Sequence, residues 1–299
     1  MFTFPEKMQK VFQDDKLQEE FEENGYVIVP YYNAEEVAYL SKLYRDLHPK
    51  DEEGFFPSTF SKDKNYRICA DEEIRNIGNR SMQKYLCDYK TVCGSFIVKS
   101  PGENSLMDVH QDMTLVDETK YTGINIWCPL LDLTKDNGLL FALPKSHRLY
   151  PTFRGSSVPN IYEAVYDEIK ELSTPLYLKA GEAVIFDQSI IHWSLPNLSD
   201  EIRPVTNTYF THKEATFRIC YYDKEKEPNK VEVFAQDDTF MTNFEQFGEN
   251  IFDRPKIGKS LGFFDYDFPK LTIAELEIHY GKLKTEEKTF FEKVKSFFQ

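Results

Sequence analysis

Two histidines and one aspartate carry the clearest chemistry in this sequence. His110 and Asp112 flank Gln111, and a lone His192 and then Arg203 follow downstream. Two imidazoles and one carboxylate can hold one face of a divalent metal and leave the opposite face open, the facial triad of non-haem Fe(II) oxygenases. A His-x-Asp step suits a β-strand or its end, where residues i and i+2 point to the same side. The third ligand can then arrive from a strand distant in sequence. Arg203 stands 203 − 192 = 11 residues beyond His192, far enough to occupy the next strand. A guanidinium there can grip the distal carboxylate of a 2-oxo acid co-substrate through two parallel hydrogen bonds. A bare His-x-Asp also occurs by chance, with either residue an ordinary surface group, so the tripeptide needs its context.

The elements that must position these groups are legible around them. Residues 91–99 are rich in β-branched and aromatic types and predict a strand. Residues 107–115 carry the first two ligands on a strand, and 123–131 predict another core strand ending near Pro129. Residues 181–186 lead into the His192 segment, and 207–210 and 216–222 read as closing strands. Tyr209 lies an even number of residues after Arg203, so on an uninterrupted strand it shares that face. Upstream, 7–23 read as a polar helix, 26–29 as a strand and 73–89 as a helix. Asn33 with Glu36 forms a capping-box pattern ahead of Val37, Leu40, Leu43, Tyr44 and Leu47 at helical spacing. The long connection 148–174 reads either as a flap over the pocket or as a surface insertion.

Composition shifts after residue 223, which divides the chain into a main region, 1–223, and an extension, 224–299. Residues 232–270 are rich in Phe and Asp without a clear period. In 285–299, Phe290, Phe291, Val294, Phe297 and Phe298 recur at helical spacing, an amphipathic helix for packing on the core or for a dimer or partner contact.

A net charge of −14 with no Lys/Arg-rich stripe disfavours nucleic acid. It weighs, less directly, against acidic membranes and CoA esters. No apolar run is long enough to span a bilayer, and the first fifteen residues show no secretory pattern. The five cysteines are scattered and odd in number, which suits a reducing cytoplasm and small core residues. A small-molecule substrate and a monomer or homodimer are the expected partners.

Three stretches resemble the phytanoyl-CoA dioxygenase family. Phe21-Glu22-Glu23-Asn24-Gly25-Tyr26-Val27-Ile28-Val29 looks like its opening turn and strand. Lys99-Ser100-Pro101-Gly102 leads to His110-Gln111-Asp112, then to Ile126-Trp127-Cys128-Pro129-Leu130 and to Asp136-Asn137-Gly138 through Pro144-Lys145-Ser146-His147, where Lys145 replaces a usual glycine. Gly181 through His192-Trp193-Ser194 to Arg203 looks like its distal histidine and arginine block. The resemblance implies a mainly β fold with flanking helices around a double-stranded β-helix, a jelly-roll, cupin-like core. It implies an Fe(II)- and 2-oxoglutarate-dependent dioxygenase that uses O2 and releases succinate and CO2. His110, Asp112 and His192 become the metal ligands, and Arg203, Ser194, Trp127 and Phe96 the co-substrate residues. Halogenating relatives lack the carboxylate ligand, so Asp112 points to hydroxylation, desaturation or ring closure.

Other polar residues have ordinary readings. His147 is expected to be structural, Asn125 to make a core hydrogen bond or reach substrate, and Arg218 to form an ion pair. An amino acid or natural-product intermediate is the expected substrate, with an acyl-CoA or carrier-tethered acyl group as the alternative. A non-catalytic jelly-roll binding module would have lost a triad member or Arg203, and neither is lost. A metal enzyme without 2-oxoglutarate leaves Arg203 and Ser194 unexplained.

Overall fold

The structure is a computed structural model that describes residues 9–48, 53–149, 153–237, 239–243 and 250–281. The strands among them are β1 (Tyr26–Pro30), β2 (Phe55–Pro57), β3 (Tyr89–Lys99), β4 (Met107–His110), β5 (Ile124–Pro129), β6 (Leu140–Ala142), β7 (Thr174–Leu176), β8 (Glu182–Asp187), β9 (His192–Ser194), β10 (Arg203–His212), β11 (Arg218–Tyr221), β12 (Lys230–Ala235) and β13 (Lys259–Asp265). Six form a large antiparallel sheet in the order β1-β8-β5-β10-β3-β2, and four a smaller one, β4-β9-β6-β7. This is the double-stranded β-helix.

Alternation along the large sheet decides what each side chain meets. Ile124, Ile126, Cys128, Ala183, Ile185, Phe96, Val98 and Phe210 join one apolar cluster with Leu40, Tyr44, Ile74 and Ile77 of the helices. Trp127, Val184, Phe186 and Val205 join a second cluster with Leu140 and Ala142 of the small sheet. The sheet is therefore largely buried on both faces; β5 and β8 read as near-continuous apolar runs, whereas β3 and β10 bury several polar side chains. Each fully buried aliphatic side chain contributes about 2 kcal/mol.

The helices that cover the outer face are α1 (Asp15–Asn24), α2 (Ala34–Leu47) and α3 (Lys64–Met82). The Asn33–Glu36 capping box forms as the pattern predicts. α1 begins at Asp15, later than expected, because the Asp14 carboxylate caps the amides of Lys16 and Leu17. α3 begins and ends earlier than expected: Asp63 caps it, and Tyr89 already starts β3. α4 (Tyr166–Leu172) lies within the long connection.

The third sheet, β11-β12-β13, spans the composition shift at residue 223. Its two later strands lie in a stretch whose sequence shows no period. Val231 and Val233 of β12 pack with Cys220 of β11 and Val158 of the long connection. α5 (Ile273–Tyr280) then buries Leu276 in the inner cluster. The amphipathic pattern at 285–299 lies outside the described residues. Among the described residues, no helix is long and apolar enough to cross a membrane.

Candidate active site

His110 ends β4, and His192 starts β9 directly opposite it in the antiparallel ladder. Their rings stand 4.1 Å apart, centroid to centroid. Asp112 lies two residues past the end of β4, so the expected strand over 107–115 stops short of it. Its amide donates to the Gln188 carbonyl at 3.1 Å, which turns the chain back toward β9. One ligand atom from each of His110, Asp112 and His192 lies within 4.8 Å of the others.

The donor set fits a divalent iron. His110 Nδ1 is 2.8 Å from the Asp108 carbonyl, and His192 Nδ1 is 3.0 Å from the Ile190 carbonyl. A carbonyl only accepts, so each Nδ1 carries the proton and each Nε2 presents its lone pair to the metal. Burial, and then the neighbouring His192, hold His110 well below the ordinary histidine range. It is thus neutral, as a ligand must be. Asn125 Nδ2 donates to Asp112 Oδ2 at 2.7 Å, and the Tyr209 hydroxyl donates to Oδ1 at 3.2 Å. Each oxygen keeps a further lone pair for a metal. Such outer partners fix the carboxylate's orientation. Asn125 therefore makes a core hydrogen bond, to the carboxylate of the triad, and Tyr209 faces inward as its spacing predicts.

Arg203 begins β10 and is 1% exposed. Its guanidinium carbon sits 5.2 Å from the centre of the Trp127 ring. Among the described residues, Nε and Nη1 have no hydrogen-bond partner. Burial alone lowers its pKa to about 9. Two orphaned donors on a buried cation form a ready seat for a carboxylate. Gly138 makes room for it: a Cβ there would lie 3.2 Å from Arg203 Nη2 and 2.9 Å from Lys99 Cδ, at a backbone φ of +87° that favours glycine.

Lys99 was not assigned a role from sequence. It pairs with Arg203 across β3 and β10, is 0% exposed, and donates Nζ to the Ser194 carbonyl at 3.2 Å. Burial, reinforced by Arg203, pushes its pKa well below the lysine range. Two cations side by side without a carboxylate among their described partners strengthen the case for an anionic guest. The available signal was a lysine closing the apolar run Phe96-Ile97-Val98.

Ser194 is buried on the same strand face as His192, while Trp193 points the other way and stacks on Phe141 at 4.2 Å. Phe96 is not brought to the site. It falls on the outer face of β3, 5.5 Å from the Tyr44 ring of α2, because its neighbours Ser95 and Ile97 take the inward positions. That is a correction to the co-substrate residues implied by resemblance. His147 is structural, with Nε2 3.2 Å from the Glu22 carbonyl. Arg218 pairs with Asp117 at 3.3 Å.

The long connection supplies one wall of a cavity of about 290 Å³ beside His110. Phe153, Val158, Ile161 and Tyr162 face Met107 and Met113 across it. The segment is anchored: Tyr162 Oη accepts from the Gln111 amide at 2.8 Å, and Arg154 Nε donates to the Asp112 carbonyl at 2.7 Å. Arg154 also forms a buried ion pair with Glu118.

A jelly roll with this triad and a buried arginine defines the non-haem iron oxygenase class. The phytanoyl-CoA dioxygenase (PhyH) family model matches residues 21–205, well over half the chain, and the chain belongs to that family of 2-oxoglutarate-dependent oxygenases. It is 29% identical over 230 residues to the phytanoyl-CoA dioxygenase domain-containing protein 1 homolog of Dictyostelium discoideum, covering 70% of this chain and 74% of that one. It is 28% identical over 136 residues to phytanoyl-CoA dioxygenase 1 of Oryza sativa subsp. japonica, covering 44% of this chain and 46% of that one. Among solved structures, the epimerase SnoN, in complex with Fe3+, alpha ketoglutarate and nogalamycin RO, matches with a TM-score of 0.51 at 19% identity, over 68% of this chain and 85% of SnoN. That likeness bears on the fold.

Proposed function

We propose that this protein hydroxylates, or otherwise oxidises, a small molecule such as an amino acid or natural-product intermediate. His110, Asp112 and His192 would hold Fe(II), and Arg203 with Lys99 would seat the distal carboxylate of 2-oxoglutarate, with Ser194 and Trp127 beside them. The bound metal and co-substrate would supply the O2-activating chemistry, with succinate and CO2 as co-products. The chain's part is to keep the His110 imidazole neutral, orient both histidine rings through their Nδ1 hydrogen bonds, hold the Asp112 carboxylate through Asn125 and Tyr209, and exclude water.

The observation that carries this reading is the pair of orphaned guanidinium donors on Arg203, buried in the same barrel as the triad. The substrate class rests on the cavity beside His110. Its volume of about 290 Å³ is at the lower end for small-molecule sites. Its lining mixes apolar residues with the polar Gln111, Ser156, Asn160 and Tyr162. Its lining arginine, Arg154, is already engaged by Glu118. An acyl-CoA would need cations for its phosphates, which this wall does not offer. We place the enzyme in the cytoplasm, as a monomer or homodimer.

The test is succinate release from 2-oxoglutarate by anaerobically Fe(II)-loaded protein after oxygen exposure, across pooled metabolites that include acyl-CoA esters. Turnover stimulated by an amine or natural-product pool, and lost in His110→Ala, is expected. Stimulation by the CoA esters alone would overturn the substrate reading.

A further inference from the structure

The inner face of β10 presents Arg203, Val205, Asn207 and Tyr209 in turn, because the strand is regular until a bulge after Tyr209. The two ends of this row have evident partners. The Arg203 guanidinium lies over Trp127, and the Tyr209 hydroxyl reaches Asp112. Asn207 between them is 1% exposed and sits in register with Trp127 on one side and Ser95 on the other. Among the described residues, neither its Nδ2 nor its Oδ1 has a partner in hydrogen-bond geometry. The Tyr209 phenol lies close enough to interact with the amide, but neither amide atom meets it in the geometry of a formed hydrogen bond. Buried amides without partners are uncommon in folded proteins and call for a specific reason. Here the reason is positional. A dicarboxylate reaching from the Arg203 guanidinium to the triad must pass along the row that Asn207 occupies.

We propose that Asn207 is a co-substrate-binding residue whose amide donates Nδ2–H to a carboxylate oxygen of the bound 2-oxo acid. This inference rests on the 2-oxoglutarate reading above. The primary substrate is the less suitable recipient, because the cavity beside His110 is walled by Met107, Gln111, Met113 and the 153–162 segment, and Asn207 does not line it. An amide also suits the place chemically. It donates to an anion without adding a third buried cation to Arg203 and Lys99, and without the repulsion a carboxylate would bring.

The experiment is an anaerobic titration of the Fe(II)-loaded protein with 2-oxoglutarate. It follows the visible charge-transfer band of the chelated 2-oxo acid in wild type, Asn207→Leu, Asn207→Ser, Asn207→Asp and Arg203→Met. Metal-free melting curves are recorded in parallel. Loss of one charge-assisted hydrogen bond should raise the 2-oxoglutarate Kd about tenfold in the leucine and serine variants. The aspartate variant should lose more, while Fe(II) affinity stays at the wild-type value. Metal-free Asn207→Leu should melt no lower than wild type, since it removes two orphaned polar atoms. The serine variant carries the same titration if leucine does not fold. Wild-type 2-oxoglutarate affinity in these variants, with binding lost in Arg203→Met, would overturn the Asn207 assignment alone. A wild-type protein that binds Fe(II) but not 2-oxoglutarate would overturn the co-substrate reading and this inference together.

Discussion

Replacing Arg203 by methionine should stabilise the metal-free protein while removing its affinity for 2-oxoglutarate. Burial lowers the guanidinium from the ordinary arginine range to about 9. The folded state thus binds the proton less tightly than the unfolded chain does. The resulting penalty is complete below pH 9 and shrinks as pH rises from there toward the ordinary arginine range. At neutral pH the difference corresponds to about 5 kcal/mol. Against it stand about 2 kcal/mol for a desolvated guanidinium over an indole and about 1 kcal/mol of packing that methionine does not restore. The net gain is about 2 kcal/mol, a rise of about 5 °C in melting temperature for a domain of this size. The removal of a positive neighbour also relieves Lys99. Saturating 2-oxoglutarate at a hundredfold excess over Kd should stabilise the iron-loaded wild type by about 3 kcal/mol and leave the variant unmoved. Scanning calorimetry of both proteins, with and without Fe(II) and 2-oxoglutarate, measures each quantity. A metal-free Arg203→Met protein that melts several degrees below wild type would refute the reasoning, because the guanidinium would then be a satisfied structural group.

Further outcomes follow from the same geometry. Asn125→Ala and Tyr209→Phe each remove one of the two hydrogen bonds on Asp112, and should weaken Fe(II) binding between about 10- and 100-fold. Metal titration with a competing chelator reads this directly, and wild-type affinity in both variants would remove their positioning role. His147 should make the fold acid-sensitive. Burial, and then Arg148, lower its pKa to about 4, so the folded protein keeps it neutral while the unfolded chain is protonated below about 6.5. Its contribution is complete above pH 6.5 and is lost as pH falls toward 4, about 3 kcal/mol in all. Denaturant melts across that interval should show a shallower acid limb in His147→Gln, and an unchanged slope would count against it. Chelation of the metal should lower the melting temperature of wild type but not of His192→Ala, as differential scanning fluorimetry would show.

Much of this site was legible in residue identities, because metal and carboxylate recognition need particular donor atoms. The His-x-Asp step, the lone later histidine and the arginine beyond it supply such atoms in order, and few other side chains carry them. The capping box at Asn33 and the inward face shared by Arg203 and Tyr209 were also readable, since each depends on local spacing. What tertiary structure alone decided was facing and register. Phe96 and Lys99 lie three residues apart on one strand, yet one packs beneath a helix and the other joins Arg203. Both faces of this sheet are buried, so the usual apolar–polar alternation that marks an inner face is missing. Asn125 reads as an ordinary polar interruption until the turn after β4 brings Asp112 against it. The strands after residue 223 escaped notice for a related reason. β13 is largely exposed and carries a register shift against β12, which erases the period that would have announced it. Residue chemistry is encoded locally, whereas the meeting of His110 with His192, and of Lys99 with Arg203, exists only once distant strands have paired.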